Sequence, residues 1–265
     1  MCADKKISPG QESGAIGLEF HGALRPLLQG SLRMMPRLYH SLEHRTSIKD
    51  TIESFTIPHT EIGAISVNGK SVDFSYQPCP GDQIRIYPLV PPVDPCRPSF
   101  LRPKPLPRLR FLVDVNVARL RTYLRMIGMD TLYQPQWTDH ELALLAAQRG
   151  CILLSRDRGL LRRKIIEHGH LIRSEDPIQQ LAEIIAYYGL SGRLNPFSRC
   201  IKCNALLQPA AKEDLLPLLE PLTRKYYDTF FRCPGCDKIY WPGSHRDAME
   251  KMVIEALSLS RILRK

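Results

Sequence analysis

The sequence lacks any apolar run near the roughly 18–20 residues that a membrane-spanning helix requires, so no membrane role is expected of it. Its first residues, Met1-Cys-Ala-Asp-Lys-Lys, also lack the basic-then-apolar order of a signal peptide, and a cytoplasmic location is the expectation. Acidic residues are in deficit: 27 Asp and Glu stand against 37 Lys and Arg, a net charge of +10. An excess of that size suits a polyanionic partner such as nucleic acid, and it equally serves solubility alone. Apolar residues are not scarce. At 43% they exclude wholesale disorder, and 265 residues suffice for two domains with a small appendage.

Proline is unevenly spent. Seven prolines fall between Val90 and Pro107, and a residue that lacks a backbone donor and fixes its own φ cannot recur so often in a helix or a central strand. Residues 91–107 are therefore expected to form an extended Pro-rich linker between one domain before it and the rest of the chain after it.

Before the linker, an alternating strand is expected over 16–21 and a second over 37–40. A helix capped by Ser47 follows over 48–55, with Asp50 in its first turn where the helix dipole favours an acid. Asn68-Gly69 between two alternating segments is a hairpin signal, and a last strand is expected over 83–87. Strand, strand, helix, hairpin and strand in this order suggest a β-grasp domain over residues 13–90. The segment VNGKSVDFSYQPCPGDQIRIYP resembles the ubiquitin-like sulfur carriers, but the chain runs on through Pro91-Pro92 where those carriers end in Gly-Gly. A binding or scaffolding role, with a protein partner, is expected instead.

After the linker the rhythm changes to strand alternating with helix over residues 108–192, which argues an α/β domain with a parallel sheet and helices on both faces. Functional groups of such sheets gather beyond the carboxyl ends of the strands. Asp114 directly follows the apolar strand ending at Val113, and an acid there is costly without a partner. Asp157 lies just past the strand 151–155, and Asp139 opens the intervening helix behind Thr138. Three acids at one edge would repel one another unless neutralised by a cation, and hard oxygen ligands suit Mg²⁺ or Mn²⁺. The plainer alternatives remain open: Asp139 as a cap, Asp157 as a turn residue. Glu141 and Asp176 are reserve acids that equally suit capping.

Basic residues bracket these acids. Eight occur between Arg97 and Arg125 against the single acid Asp114, and Arg156, Arg158, Arg162, Arg163 and Lys164 surround Asp157. Cations in this arrangement make sense if a phosphate backbone must approach the acids. Arg119 and Arg125, on the helix after Asp114, join Arg156, Arg158, Arg162 and Arg163 as candidate RNA contacts, with a solvated helix face as the alternative for each.

Four of the eight cysteines form two pairs, Cys200-x-x-Cys203 and Cys233-x-x-Cys236, with 29 residues between them. That spacing fits a tetrahedral four-cysteine zinc ribbon within residues 193–265, followed by an amphipathic helix over 247–263. No ligand position is left open, so the zinc is expected to be structural. Cys2, Cys79, Cys96 and Cys151 have no assigned role.

The pattern FLVDVNVARLRTYLRMIGMDTLY, then TDHELALLA, then ILLSRDRGLLRR, resembles the Mut-seven C-terminal ribonuclease family from about Ser13 to His245. The resemblance implies a PIN-like fold with an attached zinc ribbon, preceded by a ubiquitin-like domain. It also implies RNA cleavage by acids around a divalent cation, a role that falls by motif on Asp114, Asp139 and Asp157. Many PIN-like domains have a fourth acid, for which Glu141 or Asp176 stands nearest. The expected function is a metal-dependent, endonucleolytic ribonuclease acting on tRNA, rRNA or mRNA. The alternatives are a non-catalytic RNA-binding adaptor on ribosomes or tRNA and, with no recognition helix to support it, a DNA-binding regulator.

Overall fold

The computed structural model describes residues 14–263 apart from Glu43, and of His245 only the backbone. The domain edge expected at Ser13 lies outside the described residues. Strands β1 (Ala15–Phe20) and β2 (Leu38–Ser41) are followed by helix α1 (Ile48–Ser54), then β3 (Ile62–Val67), β4 (Lys70–Ser71) and β5 (Gln83–Pro88). The sheet order is β2-β1-β5-β3-β4, with β1 and β5 parallel and the other pairs antiparallel. This is the ubiquitin-like arrangement. Ser47 caps α1 by accepting from Asp50 N, and Asn68 and Gly69, both with positive φ, turn β3 into β4. The second hairpin strand is shorter than its alternation suggests, pairing only at Lys70 and Ser71.

The second domain follows in strict alternation. Its elements are β6 (Phe111–Val113), α2 (Leu120–Met126), β7 (Thr131–Leu132), α3 (Asp139–Arg149), β8 (Ile152–Ser155), α4 (Arg158–Leu161), β9 (Gly169–Leu171) and α5 (Pro177–Tyr187). All four strands are parallel, in the order β7-β6-β8-β9. Because side chains alternate along a strand, Phe111, Val113, Ile152 and Leu154 enter one core with α2 and α5, while Leu112 and Leu153 enter another with α3 and α4. That second core is continuous with the β-grasp interior, including Ile16, Leu18, Ile52 and Ile86. The two domains thus share one apolar cluster.

The third module holds β10 (Gln208–Ala210), α6 (Lys212–Leu215), α7 (Pro221–Tyr226), β11 (Phe230–Arg232) and β12 (Ile239–Tyr240), with its strands in the antiparallel order β10-β11-β12. Helix α8 (Ser244–Ile262) then returns to the second domain, where Val253 and Ala256 are buried with the α2 and α5 side chains. No helix among the described residues is long and apolar enough to cross a membrane.

Three local features qualify this picture. Residues 91–107 have neither helix nor strand, as their prolines require, but they are not a free spacer. Val93 N donates to Tyr187 O, Leu101 and Leu106 are buried, and the buried Arg102 donates to Ile62 O, His59 O and Glu167 O at 2.8–3.0 Å. The strap therefore bolts the domains together. Helix α4 ends at Leu161, and further on the carbonyls of Ile166 and Glu167 bond His59 and Arg102 of the other segments. Between β6 and α2 the chain makes a 3-10 turn at Val115–Val117. Gly128 closes that region at φ +90°, with Asn195 O only 2.3 Å from where a Cβ would stand.

A buried charged group spans the seam between the domains. Glu61, 3% exposed, accepts from Leu171 N at 2.9 Å and pairs with Arg173, and its Oε1 lies 3.4 Å from His170 Nδ1, an ion-pair approach too poorly aligned for a hydrogen bond. His170 Nε2 faces Glu183 at 2.9 Å. Burial opposes the charge on His170, but Glu61 and Glu183 outweigh it and raise the imidazole to about 9. Burial likewise opposes the Glu61 carboxylate, and His170, Leu171 N and Arg173 hold it below its ordinary value. The raised His170 contributes stability that is fully present below pH 6.5 and is lost as pH rises through about 9. The lowered Glu61 contributes stability present above pH 4.5 and lost as pH falls through its folded value. Urea unfolding across this range should therefore show a decline above pH 6.5 that His170→Gln removes. An unchanged alkaline decline in that variant would refute the assignment.

Truncating Arg102 to Ala removes a donor from three carbonyl oxygens, of which His59 O keeps the Ile62 N–H. The expected loss, read by the same unfolding, is about 2–4 kcal/mol.

Candidate functional site

The carboxyl edge of the parallel sheet is built from the ends of β6 and β8. Asp114 ends β6 at 5% exposure and caps the 3-10 turn after it, its Oδ1 accepting from Val115 N at 2.5 Å. Its Oδ2 accepts from Asn116 Nδ2 at 2.7 Å and from Ser155 Oγ at 2.6 Å. Three neutral donors thus offset the cost of burying this acid. Ser155 Oγ in turn accepts from Asp157 N at 2.9 Å, and Asn116 Oδ1 accepts from Arg156 N at 3.1 Å. Asp157 caps α4, its Oδ1 accepting from Gly159 N and Leu160 N, and its side chain is exposed.

This arrangement joins Asp114 to Asp157 through Ser155 and Asn116, two residues the sequence reading passed over. Their signals were a serine ending the otherwise apolar strand Ile152–Ser155 and an amide two positions after Asp114. Asp139 is outside this network. It occupies the first position of α3, exposed, with Oδ2 3.7 Å from Arg163. Among the described residues, the only set of three or more His, Cys, Asp or Glu side chains whose ligand atoms lie within mutual reach is Cys200, Cys203, Cys233 and Cys236. The three acids are not gathered in that way.

The reserve acids serve helix starts. Glu141 completes a capping box, accepting from Thr138 N at 2.7 Å and Thr138 Oγ1 at 2.9 Å, and these bonds hold its carboxyl below the usual range. Asp176 caps α5 through Ile178 N and Gln179 N. The Glu141 cap uses Oε2 alone. Asp176, like Asp157, uses one oxygen for its cap.

The basic belt divides. Arg119 is exposed and unpaired among the described residues, Arg156 pairs with Glu175 at 2.9 Å, and Arg163 reaches Asp139. Arg125 is a correction. It is 3% exposed and donates to Thr131 O, Ile201 O and Lys202 O, fastening the first cysteine loop to β7. Arg158 and Arg162 are not free belt residues either, for Arg158 donates to Leu27 O at 2.6 Å and Arg162 to Glu53 O at 2.9 Å, both in the β-grasp domain. An arginine in a sequence shows its charge, and only its neighbours decide whether carbonyl oxygens claim the guanidinium first.

The four cysteine sulfurs lie within 4.8 Å of one another, with Cys200 to Cys236 at 3.6 Å and Cys203 to Cys233 at 3.2 Å. A tetrahedral zinc with Zn–S near 2.3 Å has edges of about 3.8 Å, so the set is able to hold a zinc ion. Each pair is shaped by the same turn: Asn204 and Asp237, one residue past each second cysteine, adopt positive φ and donate N–H to Cys200 O and Cys233 O at 2.9 Å. Burial opposes a thiolate at Cys200, but the Tyr240 hydroxyl at 3.0 Å and the Cys203 and Lys202 N–H groups bring the thiol down to about 6. Asn204 also bonds Thr131 N and Asp130, so the same loop that carries two ligands docks the module on the sheet.

Two family models match the chain in order: the Mut7-C ubiquitin model over residues 14–94 and the Mut7-C RNAse domain model over 109–253, more than half of the chain. No curated protein and no solved structure gives a significant match.

Elemental analysis of the purified protein should find one zinc per chain, and Cys233→Ser should lose the metal and melt at lower temperature because metal binding is coupled to folding of such modules. A metal-free wild-type protein, or a Cys233→Ser variant that melts like it, would contradict this.

Proposed function

The chain belongs to the Mut7-C RNAse domain family, and from that premise we propose that it is a metal-dependent, endonucleolytic ribonuclease with a PIN-like acidic site. The observation that carries the reading is the pair Asp114 and Asp157, joined through Ser155 at the carboxyl edge of a parallel sheet, where such sheets collect their functional groups. Asp157 uses Oδ1 for its cap, which leaves Oδ2 for a ligand, and carboxylate and hydroxyl oxygens are the donors that a hard cation prefers. Asp114 and Asp157 would hold Mg²⁺ or Mn²⁺, with Asp139 completing the set once Arg163 turns to a phosphate, and Glu141 or Asp176 as the fourth acid. Such an ion supplies charge neutralisation at the phosphate and lowers the pKa of bound water.

The chain's own groups then have defined tasks. Ser155 and Asn116 orient Asp114 and fix the backbone that presents Asp157. Arg119, Arg156 and Arg163 face an incoming phosphodiester, and the cysteine module, holding structural zinc, flanks the same sheet through Arg125. A second reading, a non-catalytic RNA-binding adaptor, is favoured by one observation: the Asp139 carboxylate is engaged by Arg163 and stands apart from the other two acids.

Asp157→Asn separates the two. Asn caps a helix as well as Asp does, so the variant should fold and bind RNA while cleavage of total RNA in Mn²⁺ falls by about a hundredfold or more. Asp114→Asn should lose cleavage similarly. Wild-type protein that binds RNA without cutting it would favour the adaptor, and an Asp157→Asn variant that cuts as wild type would refute the assignment of Asp157 to the site.

A further inference from the structure

The seam between the β-grasp domain and the parallel sheet carries an excess of guanidinium groups that the cleavage site does not account for. Arg158 and Arg162 lie one turn apart at α4, immediately after Asp157, and both point into the β-grasp domain. Arg158 NH1 donates to Leu27 O at 2.6 Å, and the exposed Arg33 donates Nε to the next carbonyl, Leu28 O, at 2.6 Å. Two arginines from different domains therefore converge on consecutive carbonyls. Arg25 joins them from the same loop, donating to Arg33 O at 3.1 Å.

Among the described residues, none of Arg25, Arg33, Arg158 and Arg162 has a carboxylate partner. A guanidinium has five N–H donors, and each of these four uses only one nitrogen on main-chain carbonyls, while Arg162 Nε is buried with no acceptor. Burial and then the charges of Arg33, Arg173 and Arg162 depress the Arg158 guanidinium, as expected for cations gathered without compensation. Arg173 is the one neighbour with an acid, Glu61, which it shares with His170. Like charges held together by the fold are stable when a polyanion neutralises them, and releasing its counterions drives the binding.

We propose that this seam is a seat for the RNA sugar-phosphate backbone, in which Arg25 and Arg33 of the β-grasp domain extend the cleavage edge across the domain boundary from Asp157 through Arg158. The β-grasp domain is then part of the substrate path and its packing against the sheet fixes the angle at which RNA reaches the acids. The inference rests on the ribonuclease reading for the identity of the polyanion.

The test measures fluorescence anisotropy of a labelled single-stranded RNA of about 20 nucleotides with the full chain carrying Asp157→Asn, over a salt series, with and without changes at Arg33. Arg33 is exposed and its side chain makes one hydrogen bond, so its variants should fold. Arg33→Glu should weaken binding about tenfold, and Arg33→Ala should lower the slope of log K against log salt by about 0.7, the share of one phosphate contact on a single strand. Arg33→Lys, which keeps the charge and loses the bond to Leu28, should bind nearly as wild type. Cross-linking of a 4-thiouridine RNA should label the segment 22–35. Equal affinity and slope in Arg33→Glu, with Arg119→Glu weakened, would overturn the seam while leaving the ribonuclease reading intact. Wild-type protein that binds no RNA would overturn both.

Discussion

A short parallel sheet must have both faces covered, and here that constraint governs the whole molecule. Leu112 and Leu153 point away from the α2, α5 and α8 layer, and only α3 and the four-residue α4 are available from the same domain to cover them. The β-grasp core completes the cover, so the ubiquitin-like domain is a structural layer of the nuclease-type domain rather than a tethered passenger. Burial of this kind contributes about 25 cal/mol per Å² of apolar surface, which favours a fixed arrangement over a mobile one.

Fixing the layers leaves polar main-chain groups at the seam that no regular element can satisfy. Arginine meets that need because its planar fork can serve several carbonyl oxygens at once. Arg102 does so for the strap and Arg125 for the first cysteine loop, while Arg158 and Arg162 each tie α4 to one carbonyl of the β-grasp domain. Three modules are joined by the same device, at the flank of the sheet by β7, at its carboxyl edge by α4, and ahead of β9 by the strap. The positive charge of the chain is thus partly structural.

Much of this was legible in the residues. Asn68-Gly69 gave the hairpin, Ser47 and Thr138 gave helix starts, and the two Cys-x-x-Cys pairs gave the four-sulfur set, because turns, caps and knuckles depend on residues a few positions apart. The positions of Asp114 and Asp157 at strand ends were legible for the same reason. The path of the chain after α4 was not, since Ile166 O and Glu167 O are held by His59 and Arg102, more than 60 positions away in the chain. Nor was Ser155 as the link between the two acids, a hydrogen bond across adjacent strands.

The order of modules, the parallel sheet, the acids at its edge and the cysteine ligands are all consequences of local periodicity and spacing, and the residues in their order were enough to specify them. Folding in three dimensions settled the rest: which acids stand together, which arginines are free, and that the Pro-rich strap is bolted down. Those outcomes depend on which carbonyl or carboxylate lies within about 3 Å of a side chain, and at that range the partner comes from a distant part of the chain.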